Sequence, residues 1–190
     1  MFWDYFKIGW EHIISIGAWD HLLFILSLSA VFVFKDWKQV LILVTAFTIG
    51  HTITLILATL NIIHFKSAWI EFLIPVTIVI TAVINTLMKK FTPQTVKVSY
   101  FLALFFGFIH GMGFANGLRS LLGKSSDILI PLLGFNLGLE AGQIVVVFAL
   151  LLLAAIGQGI FKVNRKDWVL FLSGGAFMAA LIMALERKPF

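Results

Sequence analysis

The chain has 190 residues, of which 61% are hydrophobic and 12% are charged, and it contains no cysteine. Ordinary soluble domains are about 45–50% apolar and about 25% charged, so this composition excludes a disordered chain, a nucleic-acid-binding domain and an ordinary soluble enzyme. The net charge of +5 comes from short basic clusters between long apolar runs, a pattern typical of the loops of a membrane protein. Without thiolates, any bound metal must be held by nitrogen and oxygen ligands.

Six apolar segments are long enough to cross the roughly 30 Å hydrocarbon core of a bilayer. They cover about residues 13–34, 39–60, 68–88, 98–118, 128–161 and 168–185. Only short connections remain between them, and they lack the alternating pattern of β-barrel strands. We therefore predict an all-α polytopic membrane protein, in which residues 1–190 form a single domain and a bundle of six transmembrane helices.

Six spans place both termini on the same side of the membrane. Lysine and arginine number six on that side and eight on the other. Because the more basic side usually faces the cytoplasm, we predict a multi-pass protein of the cell (inner) membrane with both termini outside. Before the first span, Phe2, Phe6 and Trp10 recur at helical spacing. This predicts either an interfacial amphipathic turn or a frayed start of the first span.

The first two spans carry ionisable side chains, which are costly at membrane depth and so are candidate functional residues. The first contains His12 and the adjacent pair Asp20-His21. The pair offers a carboxylate and an imidazole as ligands or as a proton relay; alternatively, it caps a helix that begins after Gly17. The second contains His51 beside a threonine stripe that includes Thr48. Such a stripe alone is more typical of helix packing.

The third span begins with Glu71, which we predict to be solvated. In the fourth span, Gly107 with Gly111 and Gly113 with Gly117 form two pairs of glycines spaced four residues apart, and His110 lies within the first pair. Small residues at this spacing let helices approach closely. The fourth span is therefore predicted to combine close backbone packing with a buried imidazole.

In the fifth span, polar residues and glycines occupy nearly opposite helical faces. The polar residues are Asn136, Glu140 and Gln143, and the glycines are Gly134, Gly138 and Gly142. A lone carboxylate at mid-membrane requires a partner or a proton. Glu140 is therefore predicted to be functional or to be the structural partner of a histidine.

These spans place histidines and carboxylates at overlapping depths. The predicted metal ligands are His12, Asp20, His21, His51, His110 and Glu140, with Asn136, Gln143 and Thr48 as supporting polar groups. Imidazole ligands favour transition metals over magnesium or calcium. We therefore predict a site for a divalent transition metal ion such as nickel, cobalt or zinc, provided that these helical faces meet.

Four segments carry a family resemblance: GWEHI (9–13) with DHLLF (20–24), TAFTIGHTITL (45–55), FGFIHGMGFANGL (106–118) and FNLGLEAGQ (135–143). At these segments the chain resembles the second branch of the HupE/UreJ family of nickel/cobalt permease-like membrane proteins. The resemblance implies six spans and a divalent-metal permease. His12 and Asp20 are farther apart than in the family pattern, so the additional residues either form a bulge around Gly17 or displace His12 from the site.

The favoured interpretation is a permease whose substrate is the metal ion and which releases it as a carboxylate becomes protonated; on this interpretation the protein is not an enzyme. One alternative is an intramembrane zinc-dependent hydrolase with Glu140 as general base. A second is a haem-binding or proton-conducting subunit that uses His51 and His110. We expect the protein to contact the lipid bilayer and not to bind nucleic acid. The sequence is compatible with a monomer or a homo-oligomer.

Overall fold

The computed structural model describes residues 1–15, 17–88, 93–122 and 128–190. In these ranges the chain forms seven α-helices, numbered α1 to α7 in chain order, and no β-strand. The helices are Phe2–Ile14, Trp19–Ser29, Trp37–Thr59, Ser67–Leu87, Pro93–Leu122, Leu129–Gly159 and Arg165–Glu186. Helices α3 to α7 are long and apolar enough to cross a bilayer, and α1 with α2 passes the same test as one bent pair. The predicted all-α polytopic fold is confirmed.

The first predicted span, 13–34, is not one continuous helix. Helix α1 ends at Ile14, α2 begins at Trp19, and the two helices are bent by 68°. The break follows from the extended backbone of Ser15, which ends α1, and from the turn closed by the Ala18 amide on the Ser15 carbonyl. As a result, His12 and the Asp20-His21 pair lie on two helices instead of on successive turns of one.

Helix α1 is neither frayed nor free on the surface, because it packs along the first half of α6. A Cβ built on Gly138 would collide with the Phe6 carbonyl oxygen, and one built on Gly9 would collide with the Phe135 carbonyl oxygen. Each helix therefore presents a glycine to the backbone of the other. The predicted glycine face of the fifth span is the face that receives α1.

Helices α3 and α5 approach each other in the same way. A Cβ on Gly50 would meet the Leu104 carbonyl oxygen, and one on Gly107 would meet the Phe47 carbonyl oxygen. The predicted pair Gly107 and Gly111 thus serves a backbone contact, as small residues do in membrane helices. The second predicted pair does not, because Gly113 faces an isoleucine side chain and Gly117 faces a phenylalanine of its own helix.

The remaining helices enclose these two pairs. Helix α4 packs on α7, and α2 contacts α4, α6 and α7. The amide of Asn85 in α4 donates to the Ser27 carbonyl of α2 at 2.7 Å, which ties the short α2 into the bundle. The end of α1, the start of α2 and the middles of α3 and α5 consequently surround one region.

Substitution of Gly138 by alanine tests the close approach of α1 and α6. The added methyl group must push against the Phe6 backbone, and overpacking of this kind costs roughly 1–3 kcal/mol. We expect a lower thermal midpoint for Gly138→Ala in detergent, measured by circular dichroism. Gly174→Ala in α7 is the matched control, since nothing lies within 4 Å of its added Cβ. Equal loss of stability in both variants would contradict the proposed packing.

Candidate metal centre

Four of the five histidines converge inside the bundle. They are His12 at the end of α1, His21 at the start of α2, His51 in α3 and His110 in α5. The His12 ring centre lies 4.5 Å from that of His21 and 6.3 Å from that of His51. The ring centres of His21 and His110 are 5.3 Å apart. We call these four residues the histidine cluster.

Three members of the cluster are close enough to share a metal ion after small side-chain movements. One nitrogen from each of His12, His21 and His51 lies within 4.8 Å of the other two. A tetrahedral ion bound at about 2.1 Å requires nitrogens roughly 3.4 Å apart, so side-chain movements of about an ångström would bring all three onto one ion.

Most nitrogens of the cluster are buried without a hydrogen-bond partner among the described residues. His51 is fully buried, and His110 and His21 are only 1% and 5% exposed. The unpartnered atoms are His12 Nε2, His21 Nε2, His51 Nδ1, His51 Nε2 and His110 Nδ1. A buried polar atom normally has a partner, because leaving it unpaired costs free energy. Five such atoms in one region indicate a site arranged to receive a ligand.

Asp20 determines which nitrogen His21 presents. The Asp20 carboxylate accepts from the backbone amide of His21 at 2.9 Å, and its Oδ1 lies 3.1 Å from His21 Nδ1. An ionised carboxylate only accepts, so Nδ1 carries the proton and Nε2 keeps its lone pair. A carboxylate behind a histidine orients metal-ligating imidazoles in this way.

Thr77 does the same for His110. Its hydroxyl donates to the Ile74 carbonyl at 2.6 Å and lies 3.2 Å from His110 Nε2. Since the single hydroxyl proton is used on Ile74, the threonine oxygen accepts from Nε2–H. The lone pair of His110 is then on Nδ1, the atom that has no hydrogen-bond partner in the described part of the chain. No pattern in the sequence marks Thr77 as a partner of His110.

Phenylalanines that were not among the predicted site residues form the wall of the cluster. Phe24 and Phe47 have ring centres 4.9 and 5.2 Å from that of His110. Phe114 stacks on Phe135 at 4.6 Å and lies 4.4 Å from His12. Phe24, Phe47 and Phe114 each lie three or four residues from a cluster histidine on the same helix. The presence of a phenylalanine one helical turn from a histidine could therefore have identified them from the sequence.

The polar face of α6 lies against α3 rather than in the cluster. The Thr45 hydroxyl donates to Glu140 at 2.7 Å, and the Thr48 hydroxyl donates to Gln143 at 2.9 Å. Asn136 Oδ1 lies 2.7 Å from the Thr52 hydroxyl. We call these three pairs the polar ladder.

Glu140 is therefore separated from the cluster. Its partner Thr45 precedes His51 by six residues, which is about 9 Å along α3. The structure brings Asp20 and the four predicted histidines together, and it leaves Glu140, Asn136, Gln143 and Thr48 on a neighbouring α3–α6 contact.

A cavity of about 280 Å³ lies beside the cluster. Its walls include His12, His21, His110 and Asp20 together with two charged residues outside the predicted site, Glu71 and Arg187. Glu71 is exposed, as predicted, but it faces this cavity. Arg187 follows α7, and no pattern in the sequence connects it to Asp20.

Comparison with known proteins identifies the family to which the chain is similar. The profile of the HupE / UreJ protein family matches residues 1–187. No curated protein and no solved structure matches the chain significantly. The family match spans every helix that contributes to the histidine cluster and the polar ladder.

If the cluster holds a metal ion, removal of its most buried imidazole must weaken binding. We expect purified wild-type protein in detergent to bind Ni²⁺, Co²⁺ or Zn²⁺ in isothermal titration calorimetry and His51→Ala to bind at least tenfold more weakly. Asp20→Asn should cost roughly 10–100-fold, the usual effect of removing a carboxylate that orients a ligand.

The fifth histidine is the matched control. His64 is exposed in the connection between α3 and α4, so His64→Ala should retain wild-type affinity. Circular dichroism checks that each variant is folded. Equal affinities of His51→Ala and His64→Ala would exclude the histidine cluster as the metal site.

Proposed function

Since the chain belongs to the HupE / UreJ family, we propose that it is a membrane permease for a divalent transition-metal ion of the nickel or cobalt class. Proteins of this family are generally related to nickel and cobalt transport. The observation that carries the proposal is a set of buried imidazole nitrogens on four helices of the bundle that have no hydrogen-bond partner among the described residues. Neutral imidazole is a ligand that suits nickel, cobalt and zinc.

The cluster has the properties that a transport site needs. A permeating ion must exchange its water for protein ligands but must not be held too tightly to leave. His12 and His21 supply nitrogen ligands on the wall of an open cavity, whereas His51 is fully buried behind them. An ion can thus shed water in steps, with cavity contacts first and the buried imidazole last.

The polar ladder supplies the next polar groups beyond the cluster. Thr52 adjoins His51 in sequence, and the Thr48–Gln143 and Thr45–Glu140 pairs continue along α3. We infer that the ion or an accompanying proton moves along this row of polar groups. Glu140 is the carboxylate of the row that binds the ion or the proton. Glu140 is only partly buried, so it is not a fully enclosed charge.

The position of the cavity favours uptake from the side of the membrane on which both termini lie. Arg187 lies beyond the end of α7, and Glu71 lies in the second turn of α4. With both termini outside the cell membrane, as the basic residues favour, the cavity faces outward. The proposed direction is therefore from the outside, through the histidine cluster, towards the cytoplasm.

The two alternative functions gain no support from the geometry. A hydrolase requires a general base near the metal-bound water, but Glu140 is hydrogen-bonded to Thr45 on a separate contact. A haem needs an open slot beside its ligand, but Phe24 and Phe47 pack against the His110 ring.

Transport is tested in proteoliposomes that contain a metal-sensitive dye. We expect wild-type protein to admit Ni²⁺ or Co²⁺, and we expect His110→Ala and Glu140→Gln to abolish or strongly reduce the rate. His110→Ala removes a nitrogen of the cluster, and Glu140→Gln removes the charge of the polar ladder while keeping its shape.

Matched controls are His64→Ala and Glu186→Gln, which alter an exposed histidine and an exposed carboxylate. Both should transport at the wild-type rate. Wild-type rates in His110→Ala and Glu140→Gln would refute the permease assignment.

A further inference from the structure

A permanent positive charge lies on the route from the cavity to the histidine cluster. The exposed fraction of the side chains falls from 36% at Arg187 to 20% at Asp20 and 7% at His21. All three residues line the same cavity. This order of burial describes a path inward, with the guanidinium at the outer end and the imidazole at the inner end.

Arg187 contacts the part of Asp20 that His21 leaves free. Its Nη1 lies 3.5 Å from Asp20 Oδ2, whereas His21 uses Oδ1. The amide of Arg187 donates to the Met183 carbonyl, so the last turn of α7 holds its backbone. The side chain thus extends from a fixed helix end to the carboxylate.

From these contacts we propose that Arg187 is a tethered counter-cation which an incoming divalent ion must displace from Asp20, and that it thereby sets the affinity and the rate of the site. The inference rests on the proposed permease function. It assigns Arg187 to the control of affinity and rate rather than to the ligands, because a guanidinium has no lone pair to offer a metal.

The positive charge of Arg187 has two electrostatic effects. Without a metal ion, Arg187 neutralises a partly buried carboxylate that would otherwise be uncompensated. When a divalent ion reaches the histidines, the fixed positive charge repels it, and this repulsion is stronger in a narrow cavity than in water. Arginine stays charged at every physiological pH, so the opposition is permanent. Glu71, on the same wall, has the opposite sign and attracts cations to the cavity.

The proposal predicts that removal of the positive charge tightens binding and slows release. Arg187→Gln should lower the dissociation constant for Ni²⁺ or Co²⁺ several-fold and lower the maximal uptake rate, because an ion held too tightly leaves slowly. A merely structural role would weaken binding. Arg187→Lys, which keeps the charge, should stay near the wild type in both quantities.

Lys188→Gln is the matched control, since it removes the same charge from an exposed neighbour that does not line the cavity. It should leave affinity and rate unchanged. If Arg187→Gln matches Lys188→Gln, or binds more weakly than the wild type, the proposal is overturned while the permease function stands.

A second measurement does not depend on metal binding. Because the chain has no cysteine, Ser15→Cys introduces a single thiol on the cavity wall with almost no change in size. Its modification rates with cationic and anionic methanethiosulfonate reagents report the charge of the cavity. In detergent, Arg187→Gln should shift their ratio several-fold towards the cationic reagent, Glu71→Gln should shift it the other way, and Lys188→Gln should leave it unchanged.

The two measurements separate the two hypotheses. If the wild-type protein binds no metal but Arg187→Gln still shifts the modification ratio, the permease function is refuted. Arg187 is then retained as the residue that controls the charge of the cavity. An unshifted ratio would overturn the proposal for Arg187 whatever the metal titration shows.

Discussion

Direct packing of backbone on backbone at glycines is the constraint on which the site depends. A Cβ on Gly111 would collide with the carbonyl oxygen of His51, and Gly111 is the residue after His110. The contact that joins α3 to α5 therefore also sets His51 and His110 side by side. Gly142 also faces α1, although there the nearest atom to an added Cβ is a side-chain atom, the Cβ of Ile13 at 3.1 Å, and Ile13 is the residue after His12. In a membrane, where apolar surface is not driven together by water, such close contacts provide much of the association between helices.

This packing encloses polar atoms at a cost. Five imidazole nitrogens of the cluster are removed from water with no hydrogen-bond partner among the described residues, and the surrounding phenylalanines cannot supply one. Two neighbouring groups fix the tautomers of two histidines. Asp20 accepts from Nδ1 of His21, and Thr77 accepts from Nε2 of His110, so the other nitrogen of each ring keeps its lone pair. A bound cation would satisfy several lone pairs at once, so ligand binding and bundle stability are expected to be coupled.

On the proposed function, the division between cluster and ladder allows an ion to be bound in steps rather than at a single deep site. Imidazole nitrogens gather near the break between α1 and α2, where the chain leaves helical geometry and a cavity opens. Hydroxyl, amide and carboxylate groups continue along the α3–α6 contact. Softer nitrogen sites followed by a row of oxygen groups would bind an ion in steps of decreasing preference for transition metals.

The all-helical membrane fold and the small set of polar residues within it could be predicted from the amino-acid sequence, because apolar length, glycine spacing and charges inside apolar segments are local properties. The sequence also put His51 and His110 on faces that pack, since a helix assigns each residue to a face. Which helical faces meet became clear from the packing of the helices. The tertiary structure separated Glu140 from the histidines, divided the first span at Ser15, and joined Arg187 to Asp20 across 167 positions. Periodicity defines the direction of a side chain on its own helix, but the neighbouring helix on that side follows from the packing of the whole bundle.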